Sequence, residues 1–88
     1  MPQYTVVFQL EIKNIEMAMQ VKDSLTDELN NALGWAGVGH VDGYDVDVKK
    51  RLFQKSFLRI FCVVVNSEIA KSVMKKVAVK DKATVLSS

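Results

Sequence analysis

The 88-residue chain has one cysteine, one proline and one histidine, and all four of its glycines fall between Gly34 and Gly43. A lone cysteine excludes an intrachain disulfide framework. Cys62 lies inside the apolar run Ile60–Val65, where a thiol behaves as a small buried hydrophobe. No apolar run approaches the ~20 residues needed to cross a bilayer. Met1-Pro2-Gln3-Tyr4 has neither the basic region nor the apolar region of a secretory leader, so a reducing cytoplasm is the expected location.

What is present is a globular composition, 49% hydrophobic and 25% charged, in a chain of single-domain length. The formal charge of +2 conceals an asymmetry. Residues 1–48 carry two basic side chains against eight acidic ones, a net of −6, and residues 49–88 carry ten against two, a net of +8. Fields of one sign steer partners, so the segregation matters more than the total.

Tyr4–Ile12 alternates as a strand, with Tyr4, Val6, Phe8, Leu10 and Ile12 on one face and Thr5, Val7, Gln9 and Glu11 on the other. Asn14 is a good N-cap, and Glu16 suits the positive first turn of a helix. From Ile15 to Leu33 apolar residues recur at helical spacing, and Gly34 is the expected stop. Gly34–Gly43 reads as a loop leading into a second strand over His40–Val48. Phe57–Val65, apolar on both faces, reads as a central third strand. Asn66-Ser67 caps a second helix over Glu68–Ala78, and Lys82–Leu86 closes as a short fourth strand.

The order β-α-β-β-α-β, with the two most apolar strands first and third, predicts one α+β domain over residues 1–88. The expected fold is a ferredoxin-like sandwich, a four-stranded antiparallel sheet with both helices on one face.

His40, Asp42, Asp45 and Asp47 are the residues closest to a metal or acid–base set. Strand alternation sends His40 and Asp42 to one side and Asp45 and Asp47 to the other, and the spacing does not match a calcium loop. They read as an acidic edge strand that discourages aggregation, so no metal, cofactor or catalytic residue is assigned. Gly34, Gly37 and Gly39 follow a helix instead of opening one, the reverse of a phosphate-binding loop. Trp35 within that segment is either a lid over the end of the core or an exposed anchor, and burial, the commoner fate of a lone tryptophan, is the expected one.

Lys49, Lys50, Arg51, Lys55 and Arg59 surround Phe53, Phe57 and Phe61. Basic groups contact phosphates and aromatic rings stack on single-stranded bases, and RNA-recognition domains of this topology present aromatics from the third strand. Here Lys55-Ser56-Phe57-Leu58-Arg59-Ile60-Phe61-Cys62 departs from that motif, with Arg59 where the second aromatic belongs. With Leu58, Ile60, Cys62 and Val64 facing the helices, Phe57, Arg59, Phe61 and Val63 face outward beside Val7. Such a patch marks an interface. The lysine-bearing second helix is expected to lie beside the acidic first helix, which neutralises part of the charge within the fold, whereas the basic hairpin has no internal counterpart in the sequence.

Three families of this topology lack their marks here. The connection after the first strand is only Lys13-Asn14, without the Arg-bearing loop of acylphosphatases, the Cys-x-x-Cys of metal chaperones or the glycine of amino-acid-binding regulatory domains. Gly39-His40-Val41-Asp42-Gly43-Tyr44-Asp45 and Arg59-Ile60-Phe61 resemble a group of small uncharacterised bacterial proteins. Their second strand reads G-x-V-D-G-H-D and is followed by an N-I-F third strand. Tyr44 stands where that group has His, and Arg59 where it has Asn. The resemblance implies the same fold and carries no activity.

The sequence therefore predicts a non-enzymatic protein-binding module of an immunity-type, inhibitory or regulatory kind. It is expected to form a homodimer through Val7, Phe57, Arg59, Phe61 and Val63, with Lys49, Lys50, Arg51 and Lys55 as a basic hairpin beside them. The alternative is a single-stranded nucleic-acid binder using that hairpin and the third-strand aromatics. A third reading is an enzyme with His40 as its acid or base.

Overall fold

A computed structural model describes residues 3–49 and 54–87. The elements are β1 (Tyr4–Ile12), α1 (Ile15–Ala36), β2 (Gly39–Asp47), β3 (Ser56–Val64), α2 (Ser67–Asp81) and β4 (Thr84–Ser87). The expected hairpin residues Lys50, Arg51 and Phe53 lie outside the described residues.

Both helices start where the sequence places them. The Asn14 side chain accepts the Met17 N–H at 2.9 Å, and Asn66 accepts that of Ile69 at 3.0 Å. Their ends differ. α1 runs through Gly34 to Ala36 and stops at Gly37, whose φ of 67° is the left-handed conformation glycine adopts at no steric cost. Val38 then donates to the Leu33 carbonyl at 3.1 Å and is buried. Stopping three residues after Gly34 is what brings Val38 into the core. α2 likewise continues to Asp81, with Lys82 as its left-handed cap, and β4 begins only at Thr84.

The strands form one antiparallel sheet in the order β2-β3-β1-β4, so the two most apolar strands are central. The register sets Val6 against Cys62, Phe8 against Ile60 and Leu10 against Leu58. These residues form a single buried cluster with Ala18, Leu25, Leu29 and Leu33 of α1 and Ala70, Met74 and Ala78 of α2. One cluster taking side chains from both helices and one sheet face puts the helices together on that face, as expected for a ferredoxin-like fold. Phe8 and Leu29 are fully buried there, and truncating either to Ala costs about 2–5 kcal/mol.

α1 packs mainly on β2, and α2 on β1 and β4. The sequence asymmetry therefore becomes spatial: the acidic segments α1 and β2 occupy one side of the sheet, and the lysine-rich α2 with β4 occupies the other. No described helix lies against the other sheet face.

Candidate functional site: the open sheet face

Strand alternation and the ladder register fix which side chains stand on this face. β1 contributes Val7, Gln9 and Glu11, and β3 contributes Phe57, Arg59, Phe61 and Val63. Leu86 of β4 lies opposite Val7, and Thr84 opposite Gln9.

β2 departs from simple alternation. A bulge between Val41 and Gly43 shifts its register, so that His40 is opposite Val63, Gly43 opposite Phe61, Asp45 opposite Arg59 and Asp47 opposite Phe57. His40 thus shares the open face with Asp45 and Asp47, and Asp42 sits in the bulge. This corrects the expectation that His40 points away from those two aspartates. They still do not converge, because the residues opposite His40 and Asp45 are four apart along β3, roughly 13 Å. Among the described residues no group of three or more His, Cys, Asp or Glu could hold a metal ion.

The face divides into two halves. At one end Val7 is flanked by Phe61 and Leu86, with Val63 beside them, and this packing buries Val7 although no helix covers it. At the other end Arg59 is held on three sides. Its Nε donates to Gln9 Oε1 at 3.1 Å, its Nη2 donates to Asp47 Oδ2 at 3.2 Å, and its Nη1 lies 3.9 Å from Asp45 Oδ2. Lys49 Nζ is 3.2 Å from Asp47 Oδ1. The hydrogen bond from Lys49 is the largest influence on the Asp47 carboxyl, and with the positive charges of Lys49 and Arg59 it holds that carboxyl below the ordinary aspartate range, against desolvation.

Phe57 lies between Asp47 and Glu11, so it belongs to the charged half, separated from Phe61 by Arg59. Lys55 Nζ is 3.3 Å from Glu11 Oε1. Two members of the expected basic hairpin, Lys49 and Lys55, therefore have acidic partners within the chain, a correction to the reading that this hairpin has none. The hairpin is closed by Ser56, whose buried hydroxyl accepts the Lys49 N–H at 2.9 Å.

Other singled-out residues lie elsewhere. Trp35 is 92% exposed on the last turn of α1, not buried as expected, because the helix carries it past the core before Gly37 turns the chain. Cys62 is in the core, where burial pushes its thiol up to about 12. Leu86 was not among the expected site residues. Its partner could be found only once β4 was registered against β1, and four residues carry too little alternation to fix that.

The chain matches no protein-family model and no curated protein. Among solved structures it is similar to the solution NMR structure of a de novo designed protein with ferredoxin fold. The two are 17% identical with a TM-score of 0.47, over 100% of this chain and 84% of that one. No described helix is long and apolar enough to cross a membrane.

Proposed function

We propose that the chain is a non-enzymatic, cytoplasmic protein-binding module of an immunity-type, inhibitory or regulatory kind, and that it pairs with a second copy through the open sheet face. What supports this is the apolar half of that face, Val7, Phe61, Val63 and Leu86, left without a covering helix. The charged half favours a second copy as the occupant. Arg59 and Lys49 already have Asp45 and Asp47 as partners within the chain, so a second copy can lie over this half without leaving a charge unpaired. The likeness of Gly39–Asp45 to the G-x-V-D-G-H-D strand of small bacterial proteins belongs to the same reading.

The nucleic-acid alternative asks Arg59 to meet phosphate. Its guanidinium is already held by Asp47 and Gln9, and two carboxylates line the groove that a phosphate would enter. An enzymatic role asks His40 to move a proton, yet no described side chain orients it, and it stands exposed on an edge strand.

The test is molar mass by light scattering for the native chain and for Phe61→Asp, with anisotropy titration of mixed single-stranded RNA and DNA on the same samples. A dimer or larger species whose mass Phe61→Asp lowers while the fold is kept, without salt-sensitive nucleic-acid binding, supports the reading. A native monomer, or a dimer indifferent to Phe61→Asp, overturns it. Tight binding that weakens steeply with salt transfers the face to single-stranded nucleic acid.

A further inference from the structure

The two edges of the sheet differ from each other, and each suits the other. Antiparallel ladders use the backbone groups of alternate residues on each side of a strand. Val65 N–H donates to the Val38 carbonyl at 2.8 Å, so from that end the bonded β2 residue is His40, and the backbone of Val41 points outward. Asn30 of α1 confirms the direction, because its Oδ1 accepts the outward Val41 N–H at 2.7 Å. Past the bulge, Gly43, Asp45 and Asp47 bond inward, and Tyr44 and Val46 point their backbone groups outward. The same count across β3 and β1 leaves the backbone groups of Val85 and Ser87 pointing outward from β4. Tyr44, Val46 and Val85 all carry side chains on the helix side of the sheet. With four antiparallel strands, β4 of one copy also runs antiparallel to β2 of a copy placed alongside it in the same orientation.

The geometry points to a head-to-tail association in which the β4 edge of one copy adds to the β2 edge of a second copy, continuing the sheet with all helices on one side. Two further observations favour this occupant. First, α1 carries apolar residues toward the β2 edge that its own fold does not cover. Ile15 is 53% exposed and Met19 39%, on the helix stripe that also bears Lys22, whose ammonium sits 5.0 Å from the Tyr44 ring centroid. A strand added to β2 covers that stripe. Second, the edges are opposite in charge. Beside the Lys22–Asp23 pair, at 2.8 Å, the β2 side carries Asp42 and Asp45, and the side of α2 turned away from α1 carries Lys71 and Lys75, by their ~100° spacing from Val73 and Val77 in the interhelical groove.

Setting Val85 opposite Tyr44 places Thr84 against Asp45, Ala83 against Val46 and Leu86 against Gly43, which has no side chain to collide with it. The same register brings Lys82 level with Asp47. Pairing β2 with β2 of another copy, in the register that sets Tyr44 against Val46, brings Asp45 against Asp45, which like charges oppose. In that register the basic edge is the better partner for the acidic one. Contacts of this kind are heterologous, and they grow into chains or rings instead of stopping at two.

This surface is distinct from the open face, and one experiment separates them. Sedimentation velocity and light scattering follow the native chain over a wide concentration range, at about 0.05 M and about 1 M salt, where the Debye length falls to roughly 3 Å. The expected result is a mass that grows beyond a dimer with concentration at low salt and shrinks at high salt. Thr84→Glu and Lys71→Glu/Lys75→Glu are expected to weaken association at least about tenfold. Tyr44→Pro is expected to abolish growth, since the missing N–H lies on the outward side and the internal ladder is spared. Circular dichroism shows whether each variant keeps the fold. Phe61→Asp removes only open-face pairing and leaves growth intact. A mass that never exceeds a dimer, or growth that survives Tyr44→Pro and Thr84→Glu in folded protein, overturns the proposal.

Discussion

Asn30, near the end of α1, holds the Val41 N–H of the neighbouring edge strand at 2.7 Å, immediately before the bulge. It is a side chain doing at one point what a fifth strand would do along the whole edge. Replacing it with Ala is expected to lower stability by about 0.5–1.5 kcal/mol in urea unfolding, and Asn30→Asp, which keeps an acceptor, by less. Equal losses in the two variants count against the hydrogen bond as the cause.

The glycines of the segment between α1 and β2 respond unequally to substitution. A Cβ on Gly39 meets the Val63 carbonyl oxygen and, at 2.8 Å, Val64 Cγ1, so Gly39→Ala is expected to cost about 1–3 kcal/mol. A Cβ on Gly34 meets nothing within 4 Å, and the residue is helical, so Gly34→Ala is expected to gain about 0.5–1 kcal/mol. Thermal unfolding of both proteins reads the opposite signs.

Acid is expected to loosen the charged half of the open face. The Asp47 carboxyl is held below its ordinary value of 3.8, first by the Lys49 hydrogen bond, so the folded state binds its proton more weakly than the unfolded chain. The stability it contributes is full above the unfolded value and is lost as pH falls through that value and then through the folded one. Asp47→Asn is expected to flatten the pH–stability curve below about pH 4. An unchanged slope removes Asp47 from the account.

The core thiol titrates the other way. Burial raises Cys62 from 9.0 to about 12, so the unfolded chain releases this proton first as pH rises. The thiol therefore favours the folded state fully below about pH 9, and that contribution declines toward pH 12. A thiol reagent at pH 8 is expected to modify native Cys62 slowly and the urea-unfolded chain fast. Equal rates place the thiol in an open environment.

The fold was legible where the pattern repeats. Val6, Phe8 and Leu10 mark a strand by alternation, Leu25, Leu29 and Leu33 mark a helix by spacing, and Asn14 and Asn66 cap in the structure as they do in the sequence. Alternation also separated Phe57, Arg59, Phe61 and Val63 from Leu58, Ile60, Cys62 and Val64 on β3, once the second set was taken to face the helices. What the sequence hid depends on contacts between distant segments. Whether α1 ends at Gly34 or Gly37 is decided by where Val38 can be buried. The partners of Arg59 come from β1 and β2, and a bulge that no local pattern announces decides that both aspartates face it.

Across the β2–β3 ladder, Gly39–Asp47 spends nine residues against the eight of Phe57–Val64. On either side of Asp42 the alternation of β2 already suits its neighbours, so removing Asp42 would leave every other side chain on its present face. The extra residue is arc length. It makes the edge strand one residue longer than the stretch it pairs with, and a strand bulged in this way bends and twists more strongly at that point.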